Sequence, residues 1–321
     1  MVEISYSQFS ELSKRFKNKP FEVAPSYVDY NNSKGYKSIF FTDSLNQSMI
    51  LCWARIKKVK FIGDVLEIKG PLFSSETSQK QLSNFFKKLK ELPYKGFFIN
   101  SASKYSVLFE EAIRNAHFKR PIGQSNTNLT IIVDVLHLNP DNNWRRNLKK
   151  AGKVDFEFEV KKNLTFKDCL IIEKLHKETS ELKKLSYQLK ANEIEKLCNG
   201  NNIVVCFLQL QNKTLAARII SLEENIAHDI FACNSIDSRN NGATQFIMQN
   251  IFEYLASKSI QFFDFSRIPV GKKGAQGVYD FKRSTRGQVI QYNGEWTYFK
   301  NSRLRYFYFL HNLIINKKDF Y

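Results

Sequence analysis

The chain has 321 residues, 43% of them hydrophobic and 28 of them Phe, so it can bury a large core and is not a disordered polymer. Its formal charge of +18 suits polyanionic partners: nucleic acid, nucleotide-sugar phosphates or an anionic membrane surface. Five cysteines without a CxxC pair and five scattered histidines without metal-ligand spacing argue against a disulfide scaffold and a zinc site.

The first residues, MVEISYSQFSELSKRF, lack an apolar signal region, and no uncharged apolar window of about 18 residues occurs. The expectation is a cytoplasmic protein with reduced, buried thiols and no metal. Positive charge is spread along the chain, +8 over 1–135 and +10 over 136–321, so no detachable basic tail explains it.

In chain order, Ile4, Phe9, Leu12 and Phe16 predict a short amphipathic helix. Extended runs follow at 36–42, 48–59 and 61–68, with turns at Ser33-Lys34-Gly35, 44–47 and Ile62-Gly63-Asp64, and Gly70-Pro71 as the end of the meander. Leu82, Phe85, Phe86 and Leu89 share one helix face. A strand at 96–100, a helix carrying Leu108, Phe109, Ala112, Ile113 and Ala116, and a strand at 129–135 complete the first half.

The second half opens on NNWRRNLKKAGKV, with Asp141 as the expected N-cap and Gly152 as the residue that ends the helix. Trp144, Leu148 and Ala151 form a narrow apolar stripe. Arg145, Arg146, Lys149, Lys150 and Lys153 fill the remaining surface with no acid among them. That is either a solvated face or an anion-binding one. Then come a strand at 156–160, a helix at 166–178, a polar helix near 186–197, strands at 203–210, 214–221 and 226–232, and a helix at 242–256. A last aromatic-rich helix, or a strand and a helix, is expected at 299–315.

Element order in the second half repeats the first. Strand, turn, helix and strand at 61–100 align with 226–265. The expected fold is therefore α/β, with a mixed sheet flanked by helices in each of two similar tandem units, 1–138 and 139–321. Repeated units commonly create ligand-binding clefts.

The stretch 262–295 carries most of the functional signal. A buried strand, Ile260 to Phe265, breaks into a glycine-rich basic loop at 267–286 that holds Gly271, Lys272, Lys273, Gly274 and Gly277. Tyr279, Phe281 and Lys282 close it, so that aromatics flank a lysine. From Arg267 to Arg305 there are nine Lys or Arg against two acids, Asp280 and Glu295. A loop following a strand of an open α/β sheet is a common ligand site. This one is suited to an anion.

Several of these segments resemble signatures of the Fem family, the peptidoglycan aminoacyltransferases built from two copies of the GNAT acyltransferase fold. WRRNLKKAGK at 144–153 is similar to the family's R-x-x-[IL]-[RK]-KA helix. FFDFSRIPVGKKGAQGVYDFK at 262–282 is similar to F-D-[FL]-G…G…G-x-x-x-FK. Gly70-Pro71 and AIRNAHFKRP at 112–121 match further family positions in order, so the resemblance spans nearly the whole chain. It departs at Ser266 and His117, where the family has glycine, and at Thr285, where an aromatic is usual. Substrate identity is what these departures bear on most.

The resemblance implies two tandem GNAT-like units, an aminoacyl-tRNA donor, a peptidoglycan or other envelope precursor as acceptor, and no cofactor. It also implies that Lys282, matching the family's FK lysine, stabilises charge in the transition state of ester aminolysis. Arg145, Arg146, Lys149, Lys150, Lys272, Lys273, Tyr279 and Arg283 are candidates to hold donor or acceptor anions. An alternative is an acyl-CoA enzyme acting on an amino sugar or similar amine. Arg239-Asn240-Asn241-Gly242-Ala243-Thr244 partly matches the GNAT pyrophosphate loop [QR]-x-x-G-x-[GA], which would put Arg239, Gly242 and Ala243 at the cofactor. A third reading is a basic module that binds RNA or an anionic glycan precursor without catalysis. No general base is legible. His228 and Asp229 are strand neighbours that point to opposite faces, and the cysteines lack a His/Asn pattern.

Overall fold

The computed structural model describes residues 1–123, 127–183, 187–239, 241–268, 270 and 275–314. Contacts divide the chain into two compact units, Met1–Leu129 with Ile290–Tyr321, and Thr130–Val289.

The first unit begins with β1 (Val2–Ile4), α1 (Tyr6–Ser13) and α2 (Pro25–Ser33). Ser5 and Gln8 form a capping box that starts α1, and Pro25 occupies the first turn of α2. The meander is β2 (Ser38–Thr42), β3 (Ile50–Val59) and β4 (Gly63–Phe73), all antiparallel neighbours. Gly70-Pro71 does not end it. Gly70 takes φ +94°, a conformation open to glycine, and β4 runs on to Phe73. Next, α3 (Gln79–Glu91) crosses over to β5 (Gly96–Lys104), which lies parallel to β4, and α4 (Val107–Asn115) follows.

Helices cover both faces of this sheet. Leu82, Phe85, Phe86 and Leu89 of α3, with Phe109 and Ile113 of α4, pack on Leu66, Ile68, Phe97 and Ile99. On the other face Phe9, Leu12 and Val28 pack on Phe40, Leu51 and Trp53. Each fully buried Leu, Ile or Phe contributes about 1.5–3 kcal/mol relative to leaving it exposed.

The second unit comprises β6 (Leu129–Asp134), α5 (Asn142–Ala151), β7 (Glu157–Lys161), α6 (Phe166–Lys183), α7 (Ala191–Cys198), β8 (Ile203–Leu210), β9 (Lys213–Leu222), β10 (Ile226–Asn234), α8 (Ala243–Ser257), β11 (Phe262–Arg267) and α9 (Gln276–Arg283). Its strands run in the order β6-β11-β10-β9-β8-β7. The repeat legible in the sequence is real: β10, α8 and β11 form a parallel crossover like β4, α3 and β5. Asp141 caps α5 by accepting from the amide of Trp144 at 2.8 Å. Gly152 ends that helix at φ −65°, so it supplies no left-handed turn. The polar helix expected near 186 begins at Ala191.

The chain then returns to the first unit with β12 (Gln288–Phe299) and α10 (Arg303–Ile314). Strand β12 pairs antiparallel with β5, from Tyr292↔Lys104 to Phe299↔Gly96. Strand β6, which follows α4 in sequence, pairs instead with β11. The units therefore differ from the expected 1–138 and 139–321, because the first takes its closing strand β12 from far along the chain and β6 opens the second. The expected basic loop at 267–286 also differs. Its second half is helix α9, and Lys282 lies in the last turn of that helix.

Candidate functional site

In the second unit β10 and β11 share three parallel rungs: Ile226↔Phe262, Ala227↔Phe263 and His228↔Asp264. Beyond the third rung β10 bulges between Asp229 and Phe231. A cluster of polar side chains gathers at that point. His228 Nδ1 lies 3.7 Å from Asp264 Oδ2, close enough for electrostatic interaction and too long for a hydrogen bond. The Asp264 carboxylate, 3% exposed, accepts from the amide of Ser266 at 2.7 Å and from the hydroxyl of Thr130. Ser266 in turn donates its hydroxyl to the carbonyl of Asp229 at 2.7 Å, tying the two strands together past their last rung.

Ser266 takes φ +56°, which explains why a glycine suits this position. His117 takes φ +63° as well. It ends α4 in a Schellman turn, with His117 N–H bonded to Arg114 O and Phe118 N–H to Ile113 O. Both departures from the family glycines thus fall on left-handed backbone.

Asp229 turns to a different partner from its neighbour His228. Its Oδ2 accepts from Arg218 Nη1 at 2.6 Å, and both side chains are buried. Among the described residues Arg218 Nε and Asp229 Oδ1 have no hydrogen-bond partner. Leaving a buried polar atom unmatched costs free energy that a partner would relieve.

An aromatic column positions Lys282. Phe281 stacks on Trp144 at 5.3 Å, meets Phe265 edge-on at 6.0 Å and lies under Arg218 at 5.7 Å. With Phe281 fixed, the next side chain is directed at the end of β11. There Lys282 Nζ donates to the carbonyls of Phe265 and Arg267 at 2.6 and 3.0 Å. Thr285, where an aromatic was expected, is buried and donates its hydroxyl to Lys282 O at 2.7 Å, closing the helix behind the lysine.

The other candidate residues fall in three groups. Arg145, Arg146, Lys149 and Lys150 all lie on the exposed face of α5, while Trp144 and Ala151 are buried. Arg145 donates to Asn139 Oδ1 at 2.7 Å and Arg146 to Asn143 Oδ1 at 2.9 Å, so both guanidinium groups have local anchors. On α9, Tyr279 is half-buried and Arg283 exposed. Lys272 and Lys273 lie outside the described residues, as does the side chain of Arg239.

Gly242 precedes α8 at φ +78°, and a Cβ there would collide with the carbonyl oxygen of Asn147 in α5. The amide of Ala243 already donates to Asn241 Oδ1 at 3.2 Å. Helix packing alone therefore accounts for this glycine.

The cysteines are all free and buried, and burial pushes the thiols of Cys206 and Cys233 up to about 12. Neither is a ready nucleophile at neutral pH. Among the described residues no group of His, Cys, Asp and Glu has the arrangement of a metal site.

Sequence reasoning assigned no role to Thr130, Arg218 or Asp264. The available signal was Asp264 itself, a carboxylate inside the aromatic run FFDF. A charge placed among buried aromatics has to be matched by partners.

No protein-family profile matches the chain, and no curated protein sequence matches it. Solved structures do. A crystal structure of FemX is similar with a TM-score of 0.75 and 12% identity, over 98% of this chain and 100% of that one. The C-terminal domain of a protein from Agrobacterium fabrum described as a lysylphosphatidylglycerol synthetase gives 0.65 and 12%, over 97% and 96%. A tandem GNAT protein from the clavulanic acid pathway gives 0.52 and 6%, over 92% and 95%. The chain has a Fem-like double GNAT fold.

Proposed function

We infer that this chain is an acyltransferase that moves an aminoacyl group from aminoacyl-tRNA to an amine of a cell-envelope precursor. The observation that carries the reading is Lys282. An ammonium anchored by two backbone carbonyls and flanked by a rigid aromatic column is a preorganised positive charge at the end of β11. Supporting it are the Fem-like fold over the whole length and the exposed cations of α5.

In the reaction the acceptor nitrogen attacks the ester carbonyl carbon of the donor. The new C–N bond forms, the carbonyl oxygen takes negative charge, and the C–O bond to the terminal ribose then breaks. The amine loses a proton and the ribose oxygen gains one, so the step needs no cofactor. Lys282 stabilises charge that develops on the carbonyl or leaving oxygen, the effect that typically dominates such catalysis. Arg145, Arg146, Lys149 and Lys150 hold phosphates of the donor.

A second reading changes only the acceptor. The structural similarity to the domain described as a lysylphosphatidylglycerol synthetase favours a lipid hydroxyl, in which case an ester replaces the amide.

The test is incubation with tRNA charged with labelled amino acids and extracted envelope lipids, read by mass spectrometry. Label is expected on an amine-bearing precursor. Label on a lipid hydroxyl selects the second reading. Affinity for tRNA should fall steeply as salt rises, because each neutralised phosphate releases a counterion. Saturable acetyl-CoA binding with acetyl transfer, and no transfer from tRNA, would replace both readings with the acyl-CoA enzyme.

A further inference from the structure

Helix α10 is apolar on its outward face as well as on the inward face that packs Leu304 and Tyr308 against the sheet. Its inward positions include Tyr308 and Asn312, both buried, with the Asn312 amide donating to Tyr308 O at 2.9 Å. Its outward positions, spaced three and four apart, are Arg303, Tyr306, Phe307, Leu310, Leu313 and Ile314. All six are exposed, Phe307 by 56% and Ile314 by 66%. A surface helix normally keeps its outward face polar.

The stripe continues onto the turn between β3 and β4. Phe61 lies there at φ +67°, a backbone conformation that bulky residues rarely take, and its side chain is 82% exposed. It lines an apolar groove together with Phe307, Leu310 and Ile314. A turn position that glycine or asparagine would fill without strain instead holds the most exposed large hydrophobic side chain described.

We propose that the outward face of α10, with Phe61, is a docking surface for an anionic lipid bilayer. The occupant follows from charge. Lys58 and Lys60 are exposed beside Phe61, Lys60 lines the groove itself, and Arg303 lies on the stripe. Helix α10 contains no Asp or Glu. The acids of the adjoining strand are Asp64, opposite Lys58, and Glu67, which is buried against Arg55 and Lys57. Apolar side chains rimmed by cations are the pattern that inserts into the headgroup boundary of anionic membranes. A second copy of this chain would set Lys60 and Arg303 against their own kind at a net charge of +18 on each partner. No helix among the described residues is long and apolar enough to cross a membrane, so this contact is peripheral.

The inference does not rest on the acyl-transfer reading, and its test reads vesicle binding rather than turnover. The full chain is sedimented with phosphatidylcholine vesicles that do or do not contain about one third phosphatidylglycerol. Binding is expected with the anionic vesicles, weakening as salt rises. Phe307→Glu with Leu310→Glu should reduce it by about tenfold or more while leaving the melting curve cooperative. Phe61→Trp supplies an independent readout that leaves α10 intact. The three native tryptophans are buried, so the added emission should shift to the blue on anionic vesicles alone. Three results would overturn the proposal: no sedimentation with anionic vesicles in low salt, unchanged binding by the double variant, or an emission from the Phe61→Trp variant that is blind to vesicles. Concentration-dependent self-association abolished by the same substitutions would overturn it in favour of a dimer.

Discussion

The third rung of the parallel ladder is occupied differently in the two units. In the first, Glu67 lies opposite Phe98, and the ladder continues two rungs further to Lys69↔Asn100. In the second, His228 lies opposite Asp264, and the ladder stops. Glu67 is absorbed by its surroundings: Arg55 Nε is 2.6 Å away and Lys57 Nζ 3.5 Å. Burial opposes its ionisation, but Arg55, Lys57 and Lys69 outweigh that and hold the carboxyl down at about 2. In the second unit the polar atoms are spread over β9, β10, β11 and the approach of Lys282, and two of them, Arg218 Nε and Asp229 Oδ1, are left unmatched among the described residues. Both copies bulge just past the parallel ladder, and they differ in that the carboxylate is charge-paired in the first while polar groups gather at the bulge in the second. A paired buried charge is held rigidly in place, whereas a buried polar atom without a partner carries a cost that a new partner would relieve.

Substitutions at four positions test this contrast. The largest effect is expected from Lys282→Ala, with turnover per folded molecule falling about 10²–10³-fold and donor affinity little changed. Stability should also fall by about 1 kcal/mol, because two backbone carbonyls lose their donor. Lys282→Arg should restore part of the turnover. Steady-state kinetics with the true donor and acceptor decide the matter, and near-normal turnover in Lys282→Ala would place the lysine with the scaffold.

Glu67→Gln should do the reverse, lowering stability at pH 7 by up to about 3 kcal/mol while turnover per folded molecule stays as it was. The folded value of this carboxyl is depressed from 4.5 to about 2, so its stabilisation is complete above pH 4.5 and is lost as pH falls toward 2. Urea titrations at both ends of that range should therefore separate wild type from variant at pH 7 and bring them together near pH 2. A loss of turnover without a loss of stability would break the contrast.

Gly242→Ala should cost about 1–3 kcal/mol, since the added methyl meets backbone and the residue has positive φ. Thermal melting without any donor measures it. A fully stable variant that fails only in acyl-CoA binding would return this glycine to a phosphate loop. The smallest effect is that of His117→Gly in the first unit, expected to raise stability by up to about 1 kcal/mol by relieving a left-handed histidine. Chemical denaturation resolves it.

Much of the fold was legible because its signals are local. Leu82, Phe85, Phe86 and Leu89 share a helix face whatever surrounds them, and Asp141 caps α5 within its own turn. The parallel crossovers followed from repeated element order. Helix α2 was not legible, because PSYVDYNNS has almost no apolar stripe beyond Val28 and is held by packing on Trp53. Strand β12 was missed for a different reason. Asn293-Gly294 has the signature of a turn, but Gly294, at φ +73°, makes a bulge against Asn128 inside one long strand. Of the site, Lys282 was visible through its flanking aromatics. Its carbonyl partners, and the His228–Asp264 rung, depend on strand register between segments 36 residues apart, which no local pattern encodes.

The borrowing of a closing strand has a consequence for synthesis. When β5 leaves the ribosome its hydrogen-bonding partner β12 is still about 200 residues from being made. At about 5–20 residues per second that is a delay of roughly 10–40 s. Throughout it the nascent first unit presents GFFINSASK as an unprotected edge, and the first extended segment to emerge afterwards is β6, whose native neighbour is β11. Long-range closure of this kind is slow and leaves hydrophobic surface open to other chains. Ribosome stalling or premature termination ahead of residue 288 would therefore release a unit with an uncovered edge, a natural client for chaperones that bind extended apolar segments.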